Sequence, residues 1–353
     1  MTEWDELSKD QVERAMEIHR KSIVIDTSIT PKHGDASFFD RAEKGGVTAC
    51  NSTMLMPWDD MRRAIEHIAQ QYMWLRNYSE RGVLITSAKD IEEAKEQGRT
   101  GIIFGPQNAD MIEDKLYLLE VFHRLGVRII QPTYNNLNLI GAGCTEKVDP
   151  GISRFGEVAI EEINRLGILI DLSHCGVNTS DEAIELSKDP VAFTHTGPRD
   201  RFDHFRNKYD YQLKALAEKG GLVSITPFTP CIAKKVGVPA TFSDFMDCID
   251  YVVDLLGVDH VGVGTDIEED PEEISVDIWR PDGRPPIILG LASEKEAREI
   301  YMVGQPSGKL PDLQSIEFFP RVTMGLVKRG YSDQEIQKIL GGNYLGLFKR
   351  VWK

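Results

Sequence analysis

The sequence has few of the features that mark secreted, membrane-spanning or disulfide-stabilised proteins. Its five cysteines are odd in number and form no CxxC pair, which argues against a disulfide framework or a structural zinc knuckle and favours a reducing compartment, the cytoplasm. No apolar run approaches the roughly 20 residues that span a bilayer. The first residues, MTEWDELSKDQ, are acidic where a secretory leader is basic and then apolar, so we expect neither a leader nor a membrane anchor.

Basic residues are also in deficit. The chain has 41 Lys and Arg against 56 Asp and Glu, for a net charge of −15. Because nucleic acids and anionic membranes both attract basic surfaces, this balance argues against either as a partner. The hydrophobic content of 41% is typical of a globular protein, and 353 residues allow two domains or one large α/β barrel.

Short, nearly continuous apolar runs separated by amphipathic segments dominate the pattern, as in strands buried on both faces of a parallel sheet. There are eight such runs: 22–26, 46–50, 101–104, 127–131, 168–171, 191–194, 221–225 and 260–264. Eight strands alternating with helices predict an α/β fold, a (β/α)8 TIM barrel. The alternative is a doubly wound open sheet, but no GxGxxG follows the first strand. We expect one barrel domain over residues 1–353, with a largely helical insertion at 51–100 and a second insertion at 267–313.

In such barrels the catalytic groups lie at the C-terminal ends of the strands. The chain has only eight histidines, and two of them, His174 and His195, follow neighbouring strands, where both can bind one metal ion. Asp266 follows the last strand, where a carboxylate can take a proton from an activated water. The other polar residues at strand ends are Asp26, Ser28, Asn51, Gln107, Asn108, Tyr134, Asn135 and Thr226.

A series of longer motifs covers nearly the whole chain. They include LGVRIIQPTYNNLNLIGAGCTE (125–146), GISRFGEVAIEEINRLGILIDLSHCG (151–176), VAFTHTGPR (191–199), FRNKYD (205–210), LGVDHVGVGTDIEED (256–270) and RGYSDQEIQKILGGNYL (329–345). In this order they resemble the membrane (renal) dipeptidase family, peptidase family M19. The resemblance implies an amidohydrolase-type (β/α)8 barrel that carries two zinc ions and hydrolyses dipeptides and related amides.

The resemblance also implies roles for individual residues. His174 and His195 match two histidine ligands of one zinc, and Asp266 matches the aspartate that handles the proton during attack. Arg206 matches an arginine that helps hold the substrate carboxylate, for which the guanidinium fork is suited.

Other positions depart from the family pattern. The family has an H-x-D pair of ligands after the first strand, where this chain has Ser28 and Thr30. Gln107 replaces a glutamate that bridges the two metals, and Tyr134 replaces a substrate-binding histidine. Since Ser, Thr and Gln are poor zinc ligands and supply no negative charge, we do not expect a paired-zinc site of the family's form.

Three interpretations remain open. One metal ion is held by His174, His195 and Asp266 together with water, and it activates a hydrolytic water. Alternatively, the H-x-D sequence His33-Gly34-Asp35 rebuilds the missing ligands from a downstream loop. In the third, no metal binds, and the polar residues at the strand ends form the pocket of a metal-free enzyme or of a protein that binds a small polar ligand.

We favour the first interpretation, a divergent dipeptidase-like hydrolase that cleaves a small amide with a metal-activated water. The cofactor is then zinc or another divalent metal, one ion at most, and the partner is a small substrate bearing a carboxylate. A homodimer is an open alternative for the assembly. The predicted site comprises Asp266 as the catalytic residue, His174 and His195 as metal ligands, and Arg206, Tyr134, Asn135, Gln107 and Asn51 as substrate-binding residues.

Overall fold

Parallel β-strands form the centre of the molecule. The computed structural model describes residues 6–31, 34, 36–235, 238–269 and 310–353. Its strands are β1 Ile25–Thr30, β2 Ala49–Ser52, β3 Gly82–Ile85, β4 Thr100–Phe104, β5 Ile129–Ile130, β6 Leu169–Ile170, β7 Ala192–Thr196, β8 Leu222–Ile225, β9 Val261–Val263 and β10 Ile267–Glu268.

The strand order is that of the predicted barrel. Parallel ladders join β1 to β2, β2 to β4, β5 to β6, β7 to β8 and β8 to β9. Single parallel bridges, Phe104 to Val127 and Asp171 to Ala192, continue the order from β4 to β5 and from β6 to β7. The strand β10 comes soon after β9 in the chain and pairs with β1. The eight predicted strands are therefore confirmed, and their C-terminal ends point to one side.

Helices alternate with these strands and bury one apolar face each, as the amphipathic pattern predicts. They are α1 Lys9–Lys21, α2 Ser37–Lys44, α3 Met61–Asn77, α4 Ala88–Gln97, α5 Leu118–Arg124, α6 Arg154–Leu166, α7 Val177–Leu186, α8 Asp210–Glu218, α9 Thr229–Ile232, α10 Phe242–Leu256, α11 Pro320–Lys328, α12 Asp333–Gln337 and α13 Asn343–Val351. A search of the described residues finds no helix with the length and apolar character that a bilayer span requires.

The two predicted insertions have different outcomes. Residues 51–100 contain the helices α3 and α4, as expected, but also the short strand β3, which pairs with β4. Sequence reasoning missed β3 because its four residues, Gly-Val-Leu-Ile, are too few to show a strand period between two strong helical patterns. The insertion at 267–313 begins with β10, and most of its remainder lies outside the described residues.

The C-terminal helix α13 covers the end of the barrel opposite the predicted site. Its side chains Tyr344, Leu347, Phe348 and Val351 form one buried cluster with the residues that begin most of the strands, such as Ile25 and Ala49. The Ser224 hydroxyl, which points into the barrel, donates a hydrogen bond of 2.9 Å to the Tyr344 hydroxyl. This end is therefore closed by packing, and the predicted site lies at the other end.

Candidate active site

The four side chains with the sharpest predicted roles meet at the C-terminal end of the barrel. His174 follows β6, His195 lies in β7, and Asp266 lies between β9 and β10. The two imidazole centroids are 5.1 Å apart, and His195 Nε2 lies 4.0 Å from Asp266 Oδ1. Arg206 reaches the same place from the loop after β7, and its guanidinium donates a hydrogen bond to the carbonyl of Ser173.

His174 is held by two residues that follow β5. Its Nδ1 lies 2.8 Å from Asn135 Oδ1, and the Tyr134 ring stacks on the imidazole with centroids 3.9 Å apart. Because an amide oxygen only accepts hydrogen bonds, Nδ1 carries the hydrogen and Nε2 keeps a lone pair. Burial lowers the pKa of His174 well below 6.5, and the positive charge of Arg206 adds to this effect. Asn135, predicted to bind substrate, thus lies behind His174 and orients it.

His195 is fully buried, and its two nitrogens differ in their surroundings. Nδ1 lies 2.8 Å from the hydroxyl of Thr194, whereas Nε2 is buried and has no hydrogen-bond partner among the described residues. Burial lowers the pKa of His195, while the negative charge of Asp266 acts in the opposite direction. This Nε2, without a hydrogen bond in the described structure, faces Asp266 Oδ1 at 4.0 Å.

A buried aspartate fixes the backbone next to His195. Asp171 Oδ1 accepts from the backbone N–H of Ser173 and of Thr194, each at 3.0 Å. Its Oδ2 accepts from the Thr194 hydroxyl at 2.6 Å. We call this arrangement an Asp-x-Ser clamp, because an Asp and the Ser two residues later together hold a Thr of the neighbouring strand.

A second Asp-x-Ser clamp holds Asp266. Asp26 Oδ1 accepts from the Ser28 N–H at 3.3 Å and from the Thr265 N–H at 2.8 Å, and Oδ2 accepts from the Thr265 hydroxyl at 2.5 Å. In both clamps the held Thr directly precedes a predicted functional residue, His195 in one and Asp266 in the other. The two residues are therefore positioned by the rigid barrel rather than by surface loops.

Asp266 has a backbone conformation that few residues adopt. Its φ is 54°, in the left-handed region, which Asp tolerates better than most residues with a Cβ. Its N–H donates to the carbonyl of Ser28 at 2.7 Å, and the Ser28 hydroxyl donates to Oδ1 at 3.2 Å. The side chain is 26% exposed, so the carboxylate is held in place and still accessible to substrate.

The side of the site near β1, β2 and β4 is neutral. Gln107 Nε2 lies 2.8 Å from the Thr53 hydroxyl and 3.2 Å from the Ser28 hydroxyl. Asn51 is buried and donates to the Thr27 carbonyl at 2.9 Å, so that only its Oδ1 has no partner within the described ranges. Both amides bond to neutral groups, a carbonyl or a hydroxyl, and contribute no negative charge.

The opposite side carries surplus positive charge. Arg206 is 1% exposed and makes no ion pair with a carboxylate of the described residues. Lys208, also buried, donates to the Cys175 carbonyl at 2.6 Å and to the Ser180 hydroxyl at 3.1 Å. Burial lowers the pKa of Lys208 to about 8. A buried guanidinium without a counter-ion favours an anionic ligand.

Comparison with known proteins decides the family. The profile described as "Membrane dipeptidase (Peptidase family M19)" matches residues 12–275, well over half of the chain. The chain belongs to peptidase family M19.

Two solved structures agree with this chain in fold. A solved amidohydrolase from Pseudomonas aeruginosa is 36% identical, with a TM-score of 0.85, and the match covers 96% of this chain and 99% of that one. The probable dipeptidase PvdM from Pseudomonas aeruginosa is 18% identical, with a TM-score of 0.79 and coverage of 98% and 99%, and it supports the fold. Dipeptidase tcpJ of Claviceps purpurea is 26% identical over 293 residues, 82% of this chain. The chain spans only 60% of that curated relative's length.

The donor set fits one metal ion better than the two zinc ions that the M19 resemblance implies. Burial lowers the pKa of both His174 and His195, which favours the neutral form that binds metals, and the buried Nε2 of His195 lacks a hydrogen-bond partner in the described structure. Against this, no group of three or more His, Cys, Asp or Glu side chains with metal-binding geometry occurs among the described residues. A second ion does not fit, because Ser28 and Gln107 bond to each other and bring no charge.

Several residues of this M19 site were missed by sequence reasoning. Asp171 and Thr194 are the main ones, together with Lys208 beside Arg206. The repeated pattern Asp-x-Ser, at 26–28 and at 171–173, was a signal that could have indicated the two clamps. His33 and Asp35, the alternative H-x-D ligands, lie outside the described residues.

The Asp26 clamp predicts a pH-dependent stability for this M19 protein. Burial raises the pKa of Asp26 from 3.8 to about 7, so between about pH 4 and pH 7 the folded state retains a proton that the unfolded state loses. The contribution of Asp26 to the free energy of unfolding is therefore full below about pH 4 and falls as the pH rises to about 7. The slope is at most about 1.4 kcal/mol per pH unit.

Denaturant unfolding of the wild type and of Asp26→Asn at several pH values between these limits measures this contribution. We expect the variant to gain stability relative to the wild type as the pH rises. Parallel stability curves for the two proteins would show that Asp26 does not titrate in this range.

Proposed function

We propose that this chain hydrolyses the amide bond of small, dipeptide-like substrates that carry a free carboxylate. The observation that supports this most directly is the placement of an open imidazole nitrogen of His195 only 4.0 Å from the Asp266 carboxylate, beside the buried guanidinium of Arg206. A proton acceptor, a ligand position and an anion-binding group thus lie together, which is what hydrolysis of a short peptide requires. The family and the named dipeptidase relatives support the same activity.

We further propose that His174 and His195 hold one divalent metal ion, zinc by preference, through their Nε2 atoms. When bound, the ion would polarise the scissile carbonyl and make water a stronger nucleophile at neutral pH. Asp266 would accept the proton of the attacking water and then deliver it to the leaving amine. Its hydrogen bond from Ser28 and its held backbone keep the carboxylate aimed at the same point in both steps.

The substrate would be oriented by contacts on both sides of the site. Arg206 would bind the terminal carboxylate through two parallel N–H groups. Tyr134, stacked on His174, and the amides of Gln107 and Asn51 would bound the neutral part of the pocket. The single-domain organisation, the cytoplasmic location and the homodimer remain predictions.

Zinc binding by the protein purified without added metal tests the proposed site. We expect the wild type to bind about one equivalent of zinc, and His174→Ala and His195→Ala each to abolish binding, since each variant removes one of the two imidazole ligands and a single imidazole holds zinc only weakly. His260→Ala is the matched control, because His260 lies at the opposite end of the barrel and bonds to the Gly221 carbonyl.

Hydrolysis of a panel of L,L- and L,D-dipeptides is measured on the same samples. Zinc-dependent release of the amino acids by the wild type and by His260→Ala, but not by the two site variants, is the expected result. Retention of zinc by the double variant His174→Ala/His195→Ala would show that the metal binds elsewhere. Hydrolysis that persists in a chelator would favour the metal-free alternative.

A further inference from the structure

The hydroxyl of Thr194 lies between a carboxylate and an imidazole in the interior of the protein. Its Oγ1 is 2.6 Å from Asp171 Oδ2 and 2.8 Å from His195 Nδ1. All three residues are at most 1% exposed, so water does not compete for these bonds. The order of groups is therefore carboxylate, hydroxyl, imidazole.

The chemistry of the three groups determines the direction of both hydrogen bonds. A carboxylate only accepts, so the single hydrogen of the Thr194 hydroxyl points to Asp171. The oxygen of that hydroxyl is then left to accept, and the hydrogen in the second bond comes from His195 Nδ1. The other carboxylate oxygen of Asp171 is already surrounded by the N–H of Ser173, the hydroxyl of Ser173 and the N–H of Thr194.

The Ser173 hydroxyl cannot reverse the direction of these two hydrogen bonds. It accepts from the backbone N–H of His195 at 3.0 Å and donates to Asp171 at 2.5 Å, so its hydrogen is also committed to the carboxylate. It lies 3.3 Å from the Thr194 hydroxyl, which keeps its closer partner Asp171. Every one of these donors therefore points its hydrogen at the Asp171 carboxylate.

We propose that Asp171 is a positioning residue that, acting through the Thr194 hydroxyl, sets the tautomer of His195, with the hydrogen on Nδ1 and the lone pair on Nε2. The opposite tautomer would aim an Nε2–H at the Asp266 carboxylate, 4.0 Å away. His195 would then have no lone pair on Nε2 for a ligand, and Asp266 would face a hydrogen-bond donor of the protein instead of the substrate water. The inference rests on the proposed function only for the role of His195 as a metal ligand, because the tautomer itself is a property of the free protein. A hydrogen-bonded group behind a ligating imidazole is a general means of fixing its tautomer.

The wild-type protein, labelled with 15N-histidine and free of metal, provides the first test. Long-range 1H–15N correlation spectra distinguish a ring nitrogen that bears hydrogen from one that bears a lone pair, and His195→Gln identifies the signals of His195. We expect the hydrogen of His195 on Nδ1. A hydrogen on Nε2 in the wild type would overturn the proposal without any further variant.

Asp171→Asn provides the second test, because an amide NH2 group donates where the carboxylate oxygen accepts and can therefore reverse the direction of both hydrogen bonds of the Thr194 hydroxyl. Three donors surround Oδ1, so the amide oxygen of the new side chain should take that position and place its NH2 group against the Thr194 hydroxyl. The hydroxyl must then accept from the amide and donate to His195 Nδ1. We expect the hydrogen of His195 to move to Nε2, and zinc affinity to fall about 10- to 100-fold.

Thr194 provides the matched controls. Thr194→Ser keeps the hydroxyl and should keep the wild-type tautomer. Thr194→Val removes the connecting hydroxyl, so in its presence Asp171→Asn should no longer change the tautomer, and Thr194→Val and the double variant should give the same His195 spectrum. The same tautomer in the wild type and in a folded Asp171→Asn variant would refute the role of Asp171. A protein with the expected tautomers that hydrolyses none of the dipeptides would instead count against the proposed function alone.

Discussion

Replacing Asp266 with Asn is expected to lower kcat for dipeptide hydrolysis by about 10²- to 10⁴-fold, the usual contribution of a positioned general acid–base group. An amide cannot take the proton of the attacking water, although it matches the carboxylate in size. Asn also tolerates the left-handed backbone at this position, where φ is 54°, so the fold and its clamp by Asp26 should persist. We expect KM to change little, because the group proposed to bind the substrate carboxylate is Arg206 and not Asp266.

Asp259→Asn is the control for this variant. Asp259 lies just before β9, whereas Asp266 follows that strand, so the two residues lie at opposite ends of it. The Asp259 side chain is 66% exposed and forms an ion pair with Lys338. We expect wild-type kcat for this control, and unfolding curves show whether both variants are folded. A loss of less than about tenfold in Asp266→Asn would assign proton transfer to another group, with His195 as the next candidate.

The fold was predictable from the sequence because each barrel strand is buried on both faces. Runs such as 101–104 and 168–171 then consist almost wholly of Ile, Leu and Phe, and a Gly that ends the preceding helix marks where the strand at 168 begins. Gly167 has a φ of 71°, the left-handed conformation that ends α6. The strand β3 was not predictable in this way, because it pairs on one side only and is too short to show a pattern.

The site was predictable as a set of positions but not as a set of contacts. Strand ends converge in any barrel, so His174, His195 and Asp266 could be placed together without knowing a single distance. The direction in which an amide side chain points depends on the geometry of its loop, and loops leave no periodic residue pattern in the sequence from which that geometry could be inferred. Asn135 thus turns its Oδ1 to His174 at 2.8 Å rather than toward the open pocket, and the substrate-binding role given to it stays a prediction.

The two clamps explain why the site tolerates the loss of the family's other ligands. Asp171 bonds to Thr194 of β7 and Asp26 bonds to Thr265 between β9 and β10, and these bonds involve no ligand. The backbone at His195 and at Asp266 is therefore held whether or not residues such as Ser28 bind a metal. Substitution on the neutral side of the site changes its charge and its ligand preference, while the geometry of the remaining half is maintained by the barrel itself.

Replacing Arg206 with Met is expected to raise KM for a dipeptide by about 30-fold or more. Arg206 is 1% exposed and has no ion-paired carboxylate within the described residues, so a substrate carboxylate would form a desolvated, charge-assisted pair with it. Removing one member of such a pair costs about 2 kcal/mol or more, and about 1.4 kcal/mol corresponds to each tenfold loss of affinity. The proposed chemical step does not use Arg206, so kcat should change much less.

The same dipeptide with a terminal carboxamide separates this charge interaction from general damage to the pocket. The wild type should discriminate strongly against the carboxamide. Arg206→Met should hydrolyse both substrates with similar kcat/KM, since the variant has no guanidinium with which the substrate carboxylate could pair. Arg206→Lys, which keeps the charge but loses the fork, should retain part of the preference. An undiminished preference for the carboxylate in Arg206→Met would place the carboxylate elsewhere, and the second buried cation, Lys208, would then be the group to replace.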